Sequence, residues 1–305
     1  MAKEAMTQLD VEVGIPAHAP VHEDPRKSEL FTAQLRKAIE RDELSLHYQP
    51  QYRSIDGRPC GVEALARWFP RNAAPITPSV FIKQAEQAGL ISALGQWVLE
   101  EACKTAMTWR LPGEAPPILC VNVSPHQICA EFSGILARAL ESTGFPASRL
   151  ELEITEGILI ENPDFALQRL AQWKQLGVRI ALDDFGTGYS SLSYLSRMPV
   201  DRLKIDRSLI HRVITDSKTA AIVRALISLG DDLGFAVLAE GVETEAQFEL
   251  LVRMGCSQMQ GYLLTRPVPA CQVETLLKRR WGERSSASPG SPAILNRTRL
   301  HSVAV

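Results

Sequence analysis

No surplus of charge of either sign runs through this sequence. Its 33 Lys and Arg stand against 35 Asp and Glu over 305 residues, a formal net charge of -2. A generic binder of a DNA or RNA duplex, or of a membrane surface, relies on a basic excess, and this balance disfavours both. No window approaches the roughly 18 apolar residues of a membrane span, and residues 1–20 lack the basic and apolar stretches of a secretory leader. None of the six cysteines forms a C-x-x-C pair, and most lie in apolar runs such as Ile118-Leu119-Cys120-Val121. That is the pattern of reduced, buried thiols and implies a cytoplasmic protein. The six histidines, His18, His22, His47, His126, His211 and His301, share no metal-ligand spacing, and no His-Glu-x-x-His motif occurs.

What the chain does have is 45% hydrophobic residues, ample for a core and incompatible with disorder throughout. Residues 1–28 and 282–305 are rich in Pro, Ser and small residues without lasting periodicity, and read as flexible tails. Between them, at 29–281, strand-like and helix-like segments alternate. Strand patterns fall at 44–52, 59–66, 118–123, 149–154, 178–183, 201–205, 235–239 and 257–262. Helical periodicity falls at 29–41, 78–88, 91–110, 126–141, 163–176, 190–197, 217–233, 244–254 and 268–279. Thr77-Pro78, Ser124-Pro125 and Asn162-Pro163 read as helix starts, Thr244 with Gln247 as a capping box, and Gly177, Gly234 and Gly255 as helix ends. Eight strands alternating with helices predict a single α/β barrel, with a doubly wound open sheet as the alternative.

The chemistry gathers at the strand ends, which in a parallel barrel converge on one rim. Glu63, Asn122, Glu153, Asp183 with Asp184, Lys204 with Asp206, Glu240 and Gln260 all occupy such positions. Carboxylates this numerous in one concavity repel one another, and a divalent cation is the simplest remedy. A set of carboxylates and an Asn amide suits Mg²⁺ or Mn²⁺ rather than Zn²⁺. Adjacent Asp183 and Asp184 fit a two-metal phosphoryl site, in which one carboxylate bridges, although a turn-forming Asp184 is the plainer alternative. Glu63 and Arg67 share a strand face, so Arg67 either meets an anion near the metal or pairs structurally. Lys204 either handles a water or balances charge. Gly186-Thr187-Gly188 has Ser191 where a dinucleotide fingerprint needs its third glycine, and follows the fifth strand. A mobile loop over the site fits better than nicotinamide binding.

Glu63-Ala64-Leu65-Ala66-Arg67 resembles the signature of EAL domains, the bacterial cyclic di-GMP phosphodiesterases. Tyr48-Gln49-Pro50, Val121-Asn122-Val123-Ser124-Pro125, Glu153-Ile154-Thr155-Glu156 and Asp183-Asp184-Phe185-Gly186-Thr187-Gly188-Tyr189-Ser190-Ser191-Leu192 continue the match in order. Lys204-Ile205-Asp206, Glu240-Gly241-Val242-Glu243 and Gln260-Gly261-Tyr262 complete it over about residues 30–279. The resemblance implies a modified TIM barrel with its first strand antiparallel. It also implies two Mg²⁺ or Mn²⁺ ions that open cyclic di-GMP to linear 5′-pGpG. Glu63, Asn122, Glu153 and Asp183 would hold one ion, with Asp183 bridging to a second served by Asp184 and Asp206. Lys204 would position and activate the water, with Glu240 and Gln260 completing the polar shell. Gln49 and Arg67 would contact substrate, and Glu156 would anchor the loop that begins at Asp183. A homodimer is a further implication.

Departures are few: Leu209 replaces a common Phe, and Gln51 replaces a common aliphatic residue. Two rivals remain, a catalytically silent cyclic di-GMP-binding or scaffold domain and a proton-abstracting barrel of the enolase kind. The 28 residues ahead of the barrel are too few for a sensor domain, so a stand-alone enzyme or one regulated through partners is expected.

Overall fold

The computed structural model describes residues 25–41, 43–71, 73–111, 116–157, 163–186 and 195–282. Its strands are β1 Leu44–Arg53, β2 Pro59–Trp68, β3 Leu119–Val123, β4 Leu150–Thr155, β5 Arg179–Phe185, β6 Arg202–Ile205, β7 Ala236–Ala239, β8 Gln258–Met259 and β9 Val268–Pro269. From β2 to β8 each strand pairs in parallel with the next in sequence. Strand β1 lies antiparallel to both β8 and β2 and so closes the ring. Strand β9 adds a two-residue antiparallel pairing to β1 at His47 and Tyr48. This is the expected α/β barrel with one antiparallel strand, and closure rules out the open sheet.

The helices are α1 Pro25–Glu40, α2 Pro78–Gln87, α3 Ile91–Thr108, α4 Ala130–Thr143, α5 Pro163–Gln175, α6 Arg207–Arg212, α7 Ser217–Leu233, α8 Glu245–Arg253 and α9 Ala270–Leu277. Several boundaries differ from those predicted. Helix α1 starts four residues early, with Pro25 at its first position, where a missing N–H does no harm. The stretch 126–141 is not one helix: a short 3₁₀ turn, Pro125–Gln127, precedes α4, because Ser124 and Gln127 form a capping box of their own. Helix α6 was not foreseen; Asp206 starts it by accepting a hydrogen bond from the Ser208 N–H at 2.9 Å. Residues 268–269 pair with β1 before α9 begins, and only 258–259 of the predicted 257–262 run form a strand. Thr77 precedes Pro78 in extended backbone but makes no side-chain cap. Thr244 and Gln247 do form the capping box, and Gly177, Gly234 and Gly255 take the left-handed conformation expected at helix ends. Asn162 and most of the predicted helix at 190–197 lie outside the described residues.

The alternation within the strands explains where the core sits. In β4, Leu150, Leu152 and Ile154 face outward and pack with Phe132, Leu136, Leu170 and Trp173 of the surrounding helices. Each such side chain contributes about 1.5–3 kcal/mol on burial. The intervening Glu151 and Glu153 point into the barrel, and both are almost wholly buried. The same alternation in β6 sends Leu203 and Ile205 outward and Arg202 and Lys204 inward. A barrel lumen is usually filled by branched apolar side chains. Here it carries charge.

Candidate active site at the barrel rim

Lys204 is the centre of the site. Its ammonium group lies 2.8 Å from Glu153 Oε2, 3.1 Å from Asp183 Oδ2 and 2.7 Å from Glu240 Oε1, with the lysine side chain 1% exposed. Three carboxylates thus surround an ammonium that has three protons. Burial alone would lower its pKa, but Asp183, Glu153, Glu240 and Glu63 outweigh burial and hold it well above the ordinary lysine range. Lys204 is a fixed cation in this arrangement.

The carboxylates separate into two kinds. Burial pushes Glu63 up, but the Lys204 charge and the amides of Gln260 and Asn122 outweigh it, and its carboxyl is held below the usual range. Gln260 donates to Glu63 Oε2 at 2.6 Å, and Asn122 donates to Oε1 at 2.8 Å. Glu153 is the opposite case. Desolvation, reinforced by Glu63, Asp183 and Glu240, drives it well above the carboxylate range despite Lys204. Apart from the Lys204 ion pair, neither of its oxygens has a hydrogen-bond partner among the described residues. Glu240 is likewise pushed up to about 8, chiefly by burial.

Asp183 and Asp184 owe their position to an irregularity. Register between β5 and β6 shifts between Leu182 and Phe185, so this pair occupies a bulge. Bulges re-aim side chains beside active sites. Asp184 has a left-handed backbone, φ 55°, rare for a residue with a side chain. Its N–H donates to Asp183 Oδ1 at 2.9 Å. Burial and the charges of Asp183 and Asp206 raise the Asp184 pKa.

The other predicted residues divide. Glu63 sits in the middle of β2 rather than at its end, because β2 continues in register with the long β1 beyond the point where β3 stops. Gln49 is buried beside it and accepts from Gln260 at 3.1 Å. Arg67 is half-buried, donates to the Ala66 carbonyl at 2.9 Å and feels the Glu63 charge. Asp206 lies beyond β6 and commits Oδ1 to the cap of α6. Glu156 keeps Oε2 buried with no hydrogen bond among the described residues. The loop it is expected to anchor begins at Asp183, and its continuation at 187–194 lies outside them. A cleft of roughly 170 Å³ opens over Gln49, Glu63, Glu240 and Gln260 and is bounded by Arg207 and Tyr262. The last two were not singled out from the sequence, although Tyr262 directly follows the Gln260-Gly261 pair.

The pattern of EAL domains matches residues 32–267. The chain belongs to the EAL domain family. The bifunctional diguanylate cyclase/cyclic di-GMP phosphodiesterase MucR of Pseudomonas aeruginosa is 46% identical over 240 residues, 78% of this chain and 35% of MucR. The cyclic di-GMP phosphodiesterase NbdA of the same organism is 39% identical over 246 residues, 80% of this chain and 31% of NbdA. The chain therefore spans about a third of the length of these curated relatives. A solved structure of the PaMucR phosphodiesterase in complex with c-di-GMP has 45% identity and a TM-score of 0.76, covering 80% of this chain and 99% of that one.

The donor set of this EAL domain fits divalent cations. Around Lys204, four carboxylates, Glu63, Glu153, Asp183 and Glu240, crowd one ammonium group, with Arg67 acting on Glu63 and Arg202 on Glu153 as well. Burial first, and then their acidic neighbours, push the pKa values of Glu153 and Glu240 up, a cost that bound cations would offset. Oxygen donors of this kind suit Mg²⁺ or Mn²⁺. Cys120, Glu151 and Glu153 also bring ligand atoms within 4.8 Å of one another. That trio is a poorer cradle: Glu151 is neutralised by Arg202 at 3.0 Å, and burial with the neighbouring Glu151 and Glu153 charges keeps the Cys120 thiol protonated. No helix among the described residues is long and apolar enough to cross a membrane.

Proposed function

We propose that this chain hydrolyses cyclic di-GMP to linear 5′-pGpG by a two-metal mechanism at the barrel rim. The observation that carries the reading is the Lys204 ammonium held by Glu153, Asp183 and Glu240, beside a Glu63 presented by two amides. Glu63, Asn122, Glu153 and Asp183 would hold one ion, and Asp183, Asp184 and Asp206 the second. Two such cations supply a nucleophile at neutral pH and neutralise charge at the phosphoryl group.

The chain's own residues do the rest. Water oxygen bonds to phosphorus, the bond from phosphorus to the 3′-oxygen breaks, and the water proton ends on that leaving oxygen. Lys204 orients the water and Glu240, whose raised pKa suits it to carry a proton near neutrality, lies against it. Gln49, Arg67 and Gln260 contact the substrate, and Glu156 anchors the loop that follows Asp183. Intact Glu63, Asp183, Lys204 and Glu156 favour turnover over silent binding. The barrel at 29–281 is the catalytic unit, it acts as a homodimer, and its location is cytoplasmic.

The test is incubation of purified protein with cyclic di-GMP and Mg²⁺ or Mn²⁺, with chromatographic separation of products. Linear product is expected, nearly abolished in Glu63→Ala and Lys204→Ala with the fold retained. Measurable binding without product under either metal would overturn the catalytic reading in favour of a sensor or scaffold.

A further inference from the structure

Beneath the Lys204 cluster the barrel holds a second charged layer that the proposed chemistry leaves unused. It lies two residues away along the same strands, back on β3, β4 and β6 and onward on the antiparallel β1. Gln51, Cys120, Glu151 and Arg202 are all 3% exposed or less. Arg202 Nη1 lies 3.0 Å from Glu151 Oε1 and donates to Gln51 Oε1 at 2.6 Å. Gln51 donates from Nε2 to Gln260 Oε1 at 3.0 Å. Gln260 donates from its own Nε2 to Glu63 Oε2 at 2.6 Å.

This chain of hydrogen bonds has a direction. A side-chain amide has one donating end and one accepting end, whereas a guanidinium only donates. Arg202 therefore holds the Gln51 oxygen toward itself and turns the Gln51 nitrogen up toward Gln260. That nitrogen holds the Gln260 oxygen, which leaves the Gln260 nitrogen facing Glu63. Reversing the Gln260 amide would set its oxygen against the Glu63 carboxylate. Glu151 keeps the buried guanidinium from being an uncompensated charge. Backbone space is reserved for the relay as well. Gly61 faces Gln51 across the β1–β2 register, and a Cβ there would come 2.5 Å from Gln51 Oε1.

We infer that Arg202, Glu151 and Gln51 are positioning residues for the metal centre, fixing the Gln260 amide and, through it, the carboxylate of Glu63. The inference rests on the two-metal reading. Groups that orient a metal ligand from behind typically change metal affinity by about 10–100-fold when lost.

The experiment titrates metal-free protein with Mn²⁺, without substrate, and follows free Mn²⁺ by electron paramagnetic resonance. Gln51→Met removes the relay at its middle, and the double variant Glu151→Leu/Arg202→Met removes its source without stranding a charge. Both should bind Mn²⁺ about tenfold or more weakly while keeping a cooperative thermal transition. Arg202→Lys, which keeps a donor-only cation toward Gln51, should stay well short of that tenfold loss. Wild-type affinity in either folded variant would overturn the inference, and where one variant fails to fold the other decides. A loss in Arg202→Lys as large as in the double variant would assign the layer to packing alone. Wild-type protein that binds no Mn²⁺ would sink the two-metal reading itself, a result separate from unchanged variants.

Discussion

Replacing Lys204 with methionine keeps most of the side-chain volume and removes the positive charge that touches Glu153, Asp183 and Glu240. Breaking a buried ion pair by deleting one partner costs about 3–5 kcal/mol, because the charge left behind has neither water nor counter-ion. Here the stranded carboxylates have an escape, which is to bind protons. Glu153 and Glu240 are already raised by burial and by their acidic neighbours, with Lys204 opposing the shift. Without it both rise further. A carboxyl whose folded pKa exceeds its unfolded value binds more protons folded than unfolded between the two, so stability falls as pH climbs through that window. The deficit of Lys204→Met should therefore be small near pH 5 and reach about 3–5 kcal/mol near pH 8.

For a barrel of this length, 1 kcal/mol corresponds to about 2–4 °C in Tm, so the expected gap at the upper pH is roughly 6–20 °C. Thermal unfolding followed by circular dichroism in EDTA, at several pH values for both proteins, measures it. Added Mn²⁺ should narrow the gap, since an ion that binds only the folded state stabilises that state. A gap that is the same at every pH, or absent at pH 8, would refute the charge-balance argument.

Two further outcomes follow from the site. Glu153, a proposed ligand driven well above the carboxylate range by burial, must shed its proton when a cation arrives. Mn²⁺ affinity should therefore climb with pH, by about tenfold per unit where one proton is displaced per ion; constant affinity between pH 6 and 8 would contradict this. At Gly261 a Cβ would overlap the Val242 backbone N and O, which cannot swing aside. Gly261→Ala should cost about 1–3 kcal/mol in urea unfolding and raise KM for cyclic di-GMP, and an unchanged midpoint would contradict the close approach.

The antiparallel first strand was legible in the chain, although periodicity does not carry it. The runs 44–52 and 59–66 are separated by six residues. A parallel connection needs about a dozen residues or more, so only a hairpin spans that gap. The observed β1–β2 pairing has that form, with Gly57 at positive φ in the turn. Asp206 carries a second role that its motif hides. Its place after Lys204-Ile205 suggested a ligand beside Lys204, yet Asp206-Arg207-Ser208 is also a helix start, and the structure spends one of its oxygens on that cap.

Of the relay residues, Glu151 and Arg202 escaped notice for a deeper reason. Alternation in Leu150-Glu151-Leu152-Glu153-Ile154 locates the two faces of β4, but it says nothing about which face meets water. Solvation energetics favours placing the glutamates outside, since a lone buried carboxylate is costly. Closure of the barrel inverts the assignment: both glutamates are 1% exposed, the first neutralised by Arg202 and the second by Lys204. Those cations come from β6, two strands further along the sheet and some fifty residues away in the chain. No local pattern reports such a partner. It becomes readable only when Glu151 and Glu153 on one strand are set against Arg202 and Lys204 on another, two pairs with the same spacing of two residues and opposite sign. In a barrel with the strand order established here, that matched spacing is what stacks two ion pairs in successive layers. The upper pair then lies at the rim where the substrate cleft opens, and the lower one beneath it.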